Sequence, residues 1–219
     1  MKVVIFANGQ SEYLRQDRKL VSADDFIICA NGGTLYALEL KLTPNLIIGD
    51  LDSLPTIIAN DLAAKGVEFR KHPVLKDRTD LDLALEAAME KNPDEILVLT
   101  ALGKRLDQLL SNIFLLTRKQ WQKARISLAD GPQRAWIMHG PDRLVLSGTP
   151  GDMLSILPLT AKLEGVSLTG VFWPLENAEV RFGESLTISN QLTGNRAEIF
   201  VQAGIGLVVQ IVKYSSSIL

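Results

Sequence analysis

The chain has 219 residues, of which 47% are hydrophobic and 22% charged, and a formal net charge of -2. That length allows one large domain or two small ones with separate cores. The near-neutral balance excludes a nucleic-acid binder that depends on a strongly basic face, and no apolar run approaches the ~20 residues that cross a bilayer.

The N-terminal half alternates strands and helices. Val3 to Ala7 reads as a strand; this opening run is too short for a signal peptide and lacks a cleavage pattern, so a cytoplasmic location is expected. Phe26 to Ala30 is a second strand. It contains the lone cysteine, Cys29, which reads as a small buried hydrophobe. Thr34 to Leu40 has helical character, Leu46 to Gly49 is a strand, Pro55 to Lys65 a helix stopped by Gly66, and Val67 to Arg70 a strand. Asp80 to Lys91 is an amphipathic helix with Leu81, Ala84, Leu85 and Ala88 on one face and Thr79 placed to cap it. Glu95 to Thr100 is a strand, Leu106 to Trp121 a long helix and Ala124 to Ala129 a strand. The basic clusters around Arg15, Arg18 and Lys19, and around Arg118, Lys119, Lys123 and Arg125, read as solvated faces.

Past about Asp130 the rhythm changes to short strands separated by turn residues: Arg143 to Leu146, Met153 to Leu157, Val166 to Val171, Leu186 to Ser189, Ala197 to Val201 and Leu207 to Val212. The expected fold class is α/β plus all-β. A Rossmann-like, mostly parallel α/β domain over 1–132 precedes a β-sandwich over 133–219.

Four strand-to-helix turns carry the candidate chemistry, because ligands in parallel sheets bind beyond the carboxyl ends of strands. In Gly49-Asp50-Leu51-Asp52-Ser53, two acids one residue apart would share a side of an extended segment. They would suit Mg²⁺, or form a solvated, helix-capping turn. Lys76-Asp77-Arg78-Thr79-Asp80-Leu81-Asp82 adds acids at a helix start, where the macrodipole alone also favours them. Ala30-Asn31-Gly32-Gly33 lets backbone approach a phosphate, or is a simple tight turn. Gly103-Lys104-Arg105-Leu106-Asp107-Gln108 could grip a polyphosphate through Arg105, or be a cap with solvated bases. In the β region, Gly170-Val171-Phe172-Trp173-Pro174-Leu175 could supply a stacking ring, and Ser189-Asn190 stands out beside it; packing is the alternative for the tryptophan.

Taken together and in this order, these segments resemble the thiamine pyrophosphokinase family, over nearly the whole chain. Two positions depart from its pattern: Asn31 stands where the family carries an acid, and Lys104 where it carries a second glycine. The resemblance implies transfer of a pyrophosphoryl group from ATP to thiamine, giving thiamine diphosphate and AMP. It implies Mg²⁺ held by Asp50, Asp52 and Asp80, with Asp77 and Asp107 also catalytic. ATP, the co-substrate, would be held by Asn31, Gly32, Gly33, Lys76, Thr79 and Arg105. Gln108, Trp173, Ser189 and Asn190 would meet thiamine. A homodimer with a site shared between chains is implied as well. The alternatives are a metal-dependent phosphohydrolase with Asp50 as nucleophile, and a non-catalytic nucleotide or thiamine binder.

Overall fold

The structure, a computed structural model, describes residues 1–52, 54–73, 77–103 and 105–213. Ser53, Lys76 and Lys104 of the turns above lie outside the described residues. The chain forms two compact units, Met1–Gly131 and Pro132–Leu219.

The first unit holds β1 (Lys2–Phe6), β2 (Phe26–Ala30), β3 (Leu46–Gly49), β4 (Glu68–Lys71), β5 (Glu95–Leu99) and β6 (Arg125–Asp130). Its helices are α1 (Leu14–Asp17), α2 (Gly33–Glu39), α3 (Thr56–Ala64), α4 (Asp80–Met89) and α5 (Leu106–Leu116). The strands run in the order β6-β5-β1-β2-β3-β4, and each of these pairings is parallel. Apolar side chains fill both faces, as a sheet covered by helices requires. Val4, Phe6, Ile27, Cys29, Ile47, Leu97 and Leu99 form one core with Leu14, Ala37 and Leu62 from α1, α2 and α3. The alternate residues Val3, Ile5 and Ile28 are equally buried, and α4 lies against β1, β2 and β3. Burial pushes the Cys29 thiol far above its ordinary value, so this cysteine stays a protonated hydrophobe. As expected, Thr79 caps α4: its hydroxyl accepts from the Asp82 N–H at 3.2 Å.

The second unit is all strand: β7 (Gln133–His139), β8 (Asp142–Ser147), β9 (Met153–Pro158), β10 (Lys162–Thr169), β11 (Leu175–Arg181), β12 (Asn190–Gln191), β13 (Arg196–Val201) and β14 (Ile205–Ile211). They form the antiparallel arrays β12-β9-β14-β7 and β11-β10-β13-β8, and one core draws on both, including Met138, Ile156 and Val208 from the first and Leu146, Val166 and Ile199 from the second.

Several elements differ from expectation, among them β7 and β11, strands that the turn-punctuated pattern did not announce. The helix predicted to reach Trp121 ends at Leu116, and a 3-10 turn over Lys119–Trp121 folds back on it. The Trp121 indole donates to the Leu115 carbonyl at 3.0 Å, satisfying one of the acceptors a helix end leaves open. Leu186 to Ser189 is not a strand: Thr187 turns its hydroxyl inward onto the Ile156 carbonyl at 2.5 Å, and Ser189 adopts a left-handed φ of 59° that breaks an extended run. Helix α1 was not expected, because four residues are too few to show a helical period.

Candidate active site

The strand order reverses between β1 and β5, so the chain leaves these neighbours in opposite directions and opens a crevice at their carboxyl ends. A cleft of about 530 Å³ lies there, lined from β1 by Ala7, Asn8, Gly9 and Gln10 and from β5 by Ala101 and Gly103. Backbone contact holds the two loops together. The Gly9 N–H donates to Thr100 O at 2.8 Å, and the Thr100 hydroxyl donates to Ala7 O at 2.6 Å. A Cβ on Gly9 would stand 2.4 Å from Thr100 O, so only glycine permits this approach. The Asn8–Gln10 loop was missed in the sequence, where Asn-Gly signals only a turn.

The same cleft gathers Asp50, Thr79, Asp80, Arg105 and Gln108 from the turns singled out earlier. Asp50 and Asp80 converge although 30 residues separate them: a Cβ on Gly49 would stand 3.2 Å from Asp80 Oδ1. The turn after β3 is not extended. Gly49 has φ 142° and Leu51 φ 63°, both in the left-handed half of the map. The premise that put Asp50 and Asp52 on one side therefore fails, and Asp52 instead donates its N–H to Asp50 Oδ1 at 3.2 Å. Asp52 is exposed and is not part of the cleft lining; the same holds for Asp77 and Asp107. Among the described residues no group of three or more His, Cys, Asp or Glu is placed to hold a metal ion by itself.

Asn31 is buried, with φ 47°, and its amide donates to Asp50 Oδ1 at 2.8 Å. An ionised aspartate at this position could not make that bond. Gly32 and Gly33 serve packing within the chain. A Cβ on Gly32 would meet Asn8 Oδ1 at 2.2 Å, and one on Gly33 would meet Phe6 O at 2.1 Å. Arg105 lies in an exposed ion pair with Asp107, Nη2 to Oδ2 at 2.5 Å, and that guanidinium holds the Asp107 carboxyl below its usual value.

The last acid of the helix-start cluster, Asp82, has a structural partner set of its own. Asp82 in α4 is buried, and Arg78 donates to it through Nε at 3.1 Å and Nη2 at 2.9 Å. Arg118, expected on a solvated face, reaches it from beyond α5 at 2.9 Å. Burial opposes the Asp82 charge, but the hydrogen bonds and the field of the two guanidinium groups outweigh it and hold its carboxyl below the ordinary range. A group whose folded value is depressed adds stability above its unfolded value, and that stability is lost as pH falls through the folded value. Asp82→Asn should therefore cost about 2 kcal/mol near neutrality, discounted for the partly exposed arginines. Urea unfolding across pH should show the gap to wild type closing below about pH 4; a gap constant down to about pH 2 would refute the ion-pair account.

In the second unit Trp173 is 57% exposed, Ser189 is exposed and Asn190 is buried. Phe172 stands against Trp173 edge-on, with ring centres 4.8 Å apart at 73°.

Residues 18–128 match the family model for the thiamin pyrophosphokinase catalytic domain, and residues 143–206 the model for the vitamin B1 binding domain of the same family. The chain belongs to the thiamin pyrophosphokinase family. Among its relatives, the thiamine pyrophosphokinase of Bacillus subtilis is 29% identical over 178 residues, covering 81% of this chain and 83% of that one. Thiamin pyrophosphokinase 1 of Caenorhabditis elegans is 26% identical over 231 residues, covering 95% and 88%. The crystal structure of the Bacillus subtilis protein superposes with a TM-score of 0.86 at 27% identity, covering 98% of this chain and all of that one. The Geobacillus thermodenitrificans protein superposes with 0.82 at 26% identity, with full coverage of both chains. The thiamin pyrophosphokinase relatives thus share the whole architecture described above, including the β-rich second unit. Neither alternative function, phosphohydrolase or non-catalytic binder, is favoured by these likenesses.

Proposed function

We propose that this chain transfers the pyrophosphoryl group of ATP to the hydroxyethyl oxygen of thiamine, giving thiamine diphosphate and AMP. The observation that carries the reading is the cleft at the strand-order switch, whose lining includes two carboxylates, Asp50 and Asp80, and the cation Arg105. Its volume of about 530 Å³ falls in the range of small-ligand sites. Mg²⁺ ordinarily takes one or two protein carboxylates and completes its shell with phosphate oxygens and water, so the pair Asp50 and Asp80 fits it. Bound there, the ion would neutralise phosphate charge. Asp50 and Asp80 would then orient the polyphosphate through it, while Arg105, at the N-cap of α5, grips it and Gln108, in the first turn of α5, meets thiamine. The Asn31 amide keeps Asp50 turned by holding Oδ1. The exposed ring of Trp173 suits stacking on the flat, cationic vitamin.

In this reading 1–132 is a Rossmann-like catalytic domain and 133–219 a thiamine-binding β-sandwich. The protein is cytoplasmic and acts as a homodimer with a site shared between chains, which sedimentation would report as a doubled mass. Purified protein with Mg²⁺, ATP and thiamine should yield AMP and thiamine diphosphate together, and no AMP when thiamine is left out. Phosphate released from simple phosphoesters, or binding of both substrates without turnover, would overturn the proposal.

A further inference from the structure

The second unit contains a large aromatic pair left in solvent on a tightly held backbone: Phe172 is 64% and Trp173 57% exposed. Exposed rings of this size disfavour the free protein unless something covers them, and a fixed backbone lowers the entropy lost when that happens. The segment carrying them runs antiparallel to Gln191–Thr193. Thr193 N–H donates to Gly170 O at 3.0 Å, Val171 bridges Leu192, and Phe172 N–H donates to Gln191 O at 2.9 Å. At Trp173 the main-chain ladder stops, and the side chain of Asn190 continues it. Asn190 Oδ1 accepts the Trp173 N–H at 3.1 Å, and Asn190 Nδ2 donates to the Trp173 carbonyl at 2.7 Å. The same Oδ1 accepts the Gln191 N–H at 2.9 Å, so surrounding donors and acceptor dictate which way the amide faces. Asn190 is only 4% exposed. Its acceptor is already shared by two N–H groups, which leaves little with which to recognise a ligand edge.

We propose that Asn190 is a positioning residue: its amide pairs with both main-chain polar groups of Trp173 and holds the Phe172–Trp173 rings in place for a flat cationic ring, without touching that ring itself. This departs from the direct contact to thiamine expected of Asn190, and it rests on the function proposed above. Removing the amide leaves the Trp173 peptide unpaired and frees the ring to move, so weaker stacking is the consequence. A residue acting only through Trp173 has nothing left to do once that ring is gone.

The test is a double-mutant cycle with Asn190→Ala, Trp173→Ala and the double variant, read as KM for thiamine and for ATP. Asn190→Ala should raise KM for thiamine about tenfold, with kcat and KM for ATP nearly unchanged. In the Trp173→Ala background the same substitution should add less than about twofold. Multiplying effects would mean that Asn190 contacts thiamine directly, and would overturn the proposal. Asn190→Asp gives a second route if the alanine variant folds poorly, because it sets a carboxylate oxygen against the Trp173 carbonyl while keeping side-chain volume. Time-resolved fluorescence anisotropy separates this inference from the enzymatic reading. With W121F and W136F leaving Trp173 as the sole indole, Asn190→Ala or Asn190→Asp should make its decay faster. An unchanged decay refutes the clamp whether or not the wild-type protein forms thiamine diphosphate. An inactive wild type with a faster decay would overturn the function and keep the clamp.

Discussion

Asp50→Asn is expected to lower formation of thiamine diphosphate about a thousandfold, a loss of the size seen when one preorganised electrostatic partner of a transition state is removed. The melting temperature should barely move. Asp50 lines the cleft, and Asn31 Nδ2 and the Asp52 N–H both donate to its Oδ1. An asparagine there can keep its carbonyl oxygen on these two donors, so the turn survives. What disappears is the negative charge beside Asp80, and with it the attraction for a divalent cation carrying a polyphosphate. Single-turnover assays with radiolabelled ATP over a range of Mg²⁺ would measure the loss. A kcat within about tenfold of wild type would show that the charge is not used.

Gly33→Ala should destabilise the protein by about 3 kcal/mol, at the upper end for overpacking, and lower its melting temperature by roughly 10 °C. The new methyl would stand 2.1 Å from Phe6 O, 2.7 Å from Phe6 C and 2.8 Å from Ala7 O. All three atoms are backbone, so no rotamer change can relieve the clash. Either α2 retreats from the sheet or the end of β1 shifts, and the end of β1 leads into the Asn8–Gln10 wall of the cleft. Gly32→Ala makes a useful contrast. Its methyl would meet the Asn8 side chain, Oδ1 at 2.2 Å, which can swing away, so a cost of about 1 kcal/mol is expected. Calorimetry of the two variants would decide. A Gly33→Ala protein melting within about 2 °C of wild type would show that the sheet absorbs the methyl.

These glycines mark where the sequence was legible and where it was not. The pair Gly32-Gly33 read as an approach to a phosphate or as a tight turn; the close contacts the structure shows there lie within the chain, with the end of β1 and with Asn8. Thr79 was readable as a cap because capping is a local event, decided three residues away. Asp82 was legible only as one acid of a helix-start cluster; its burial and its second partner were not, because Arg118 is 36 positions distant and looks like a surface cation until the chain beyond α5 reaches α4. Asn190 looked like a ligand contact for the same reason: nothing local reveals that its amide is already taken up by Trp173.

Sequence alone determined the alternation of strand and helix, the change to short strands near residue 130, and the acids at the ends of strands, because apolar period and turn chemistry act over a few residues. Only the tertiary structure decided that the order reverses between β1 and β5, and so which strand ends face a common crevice. It also decided that Asp80 joins Asp50 there while Asp52 is exposed outside the lining. Strand order is set by long-range packing of helices across a buried sheet, and a left-handed φ at Leu51 can redirect a carboxylate without leaving any trace in residue type.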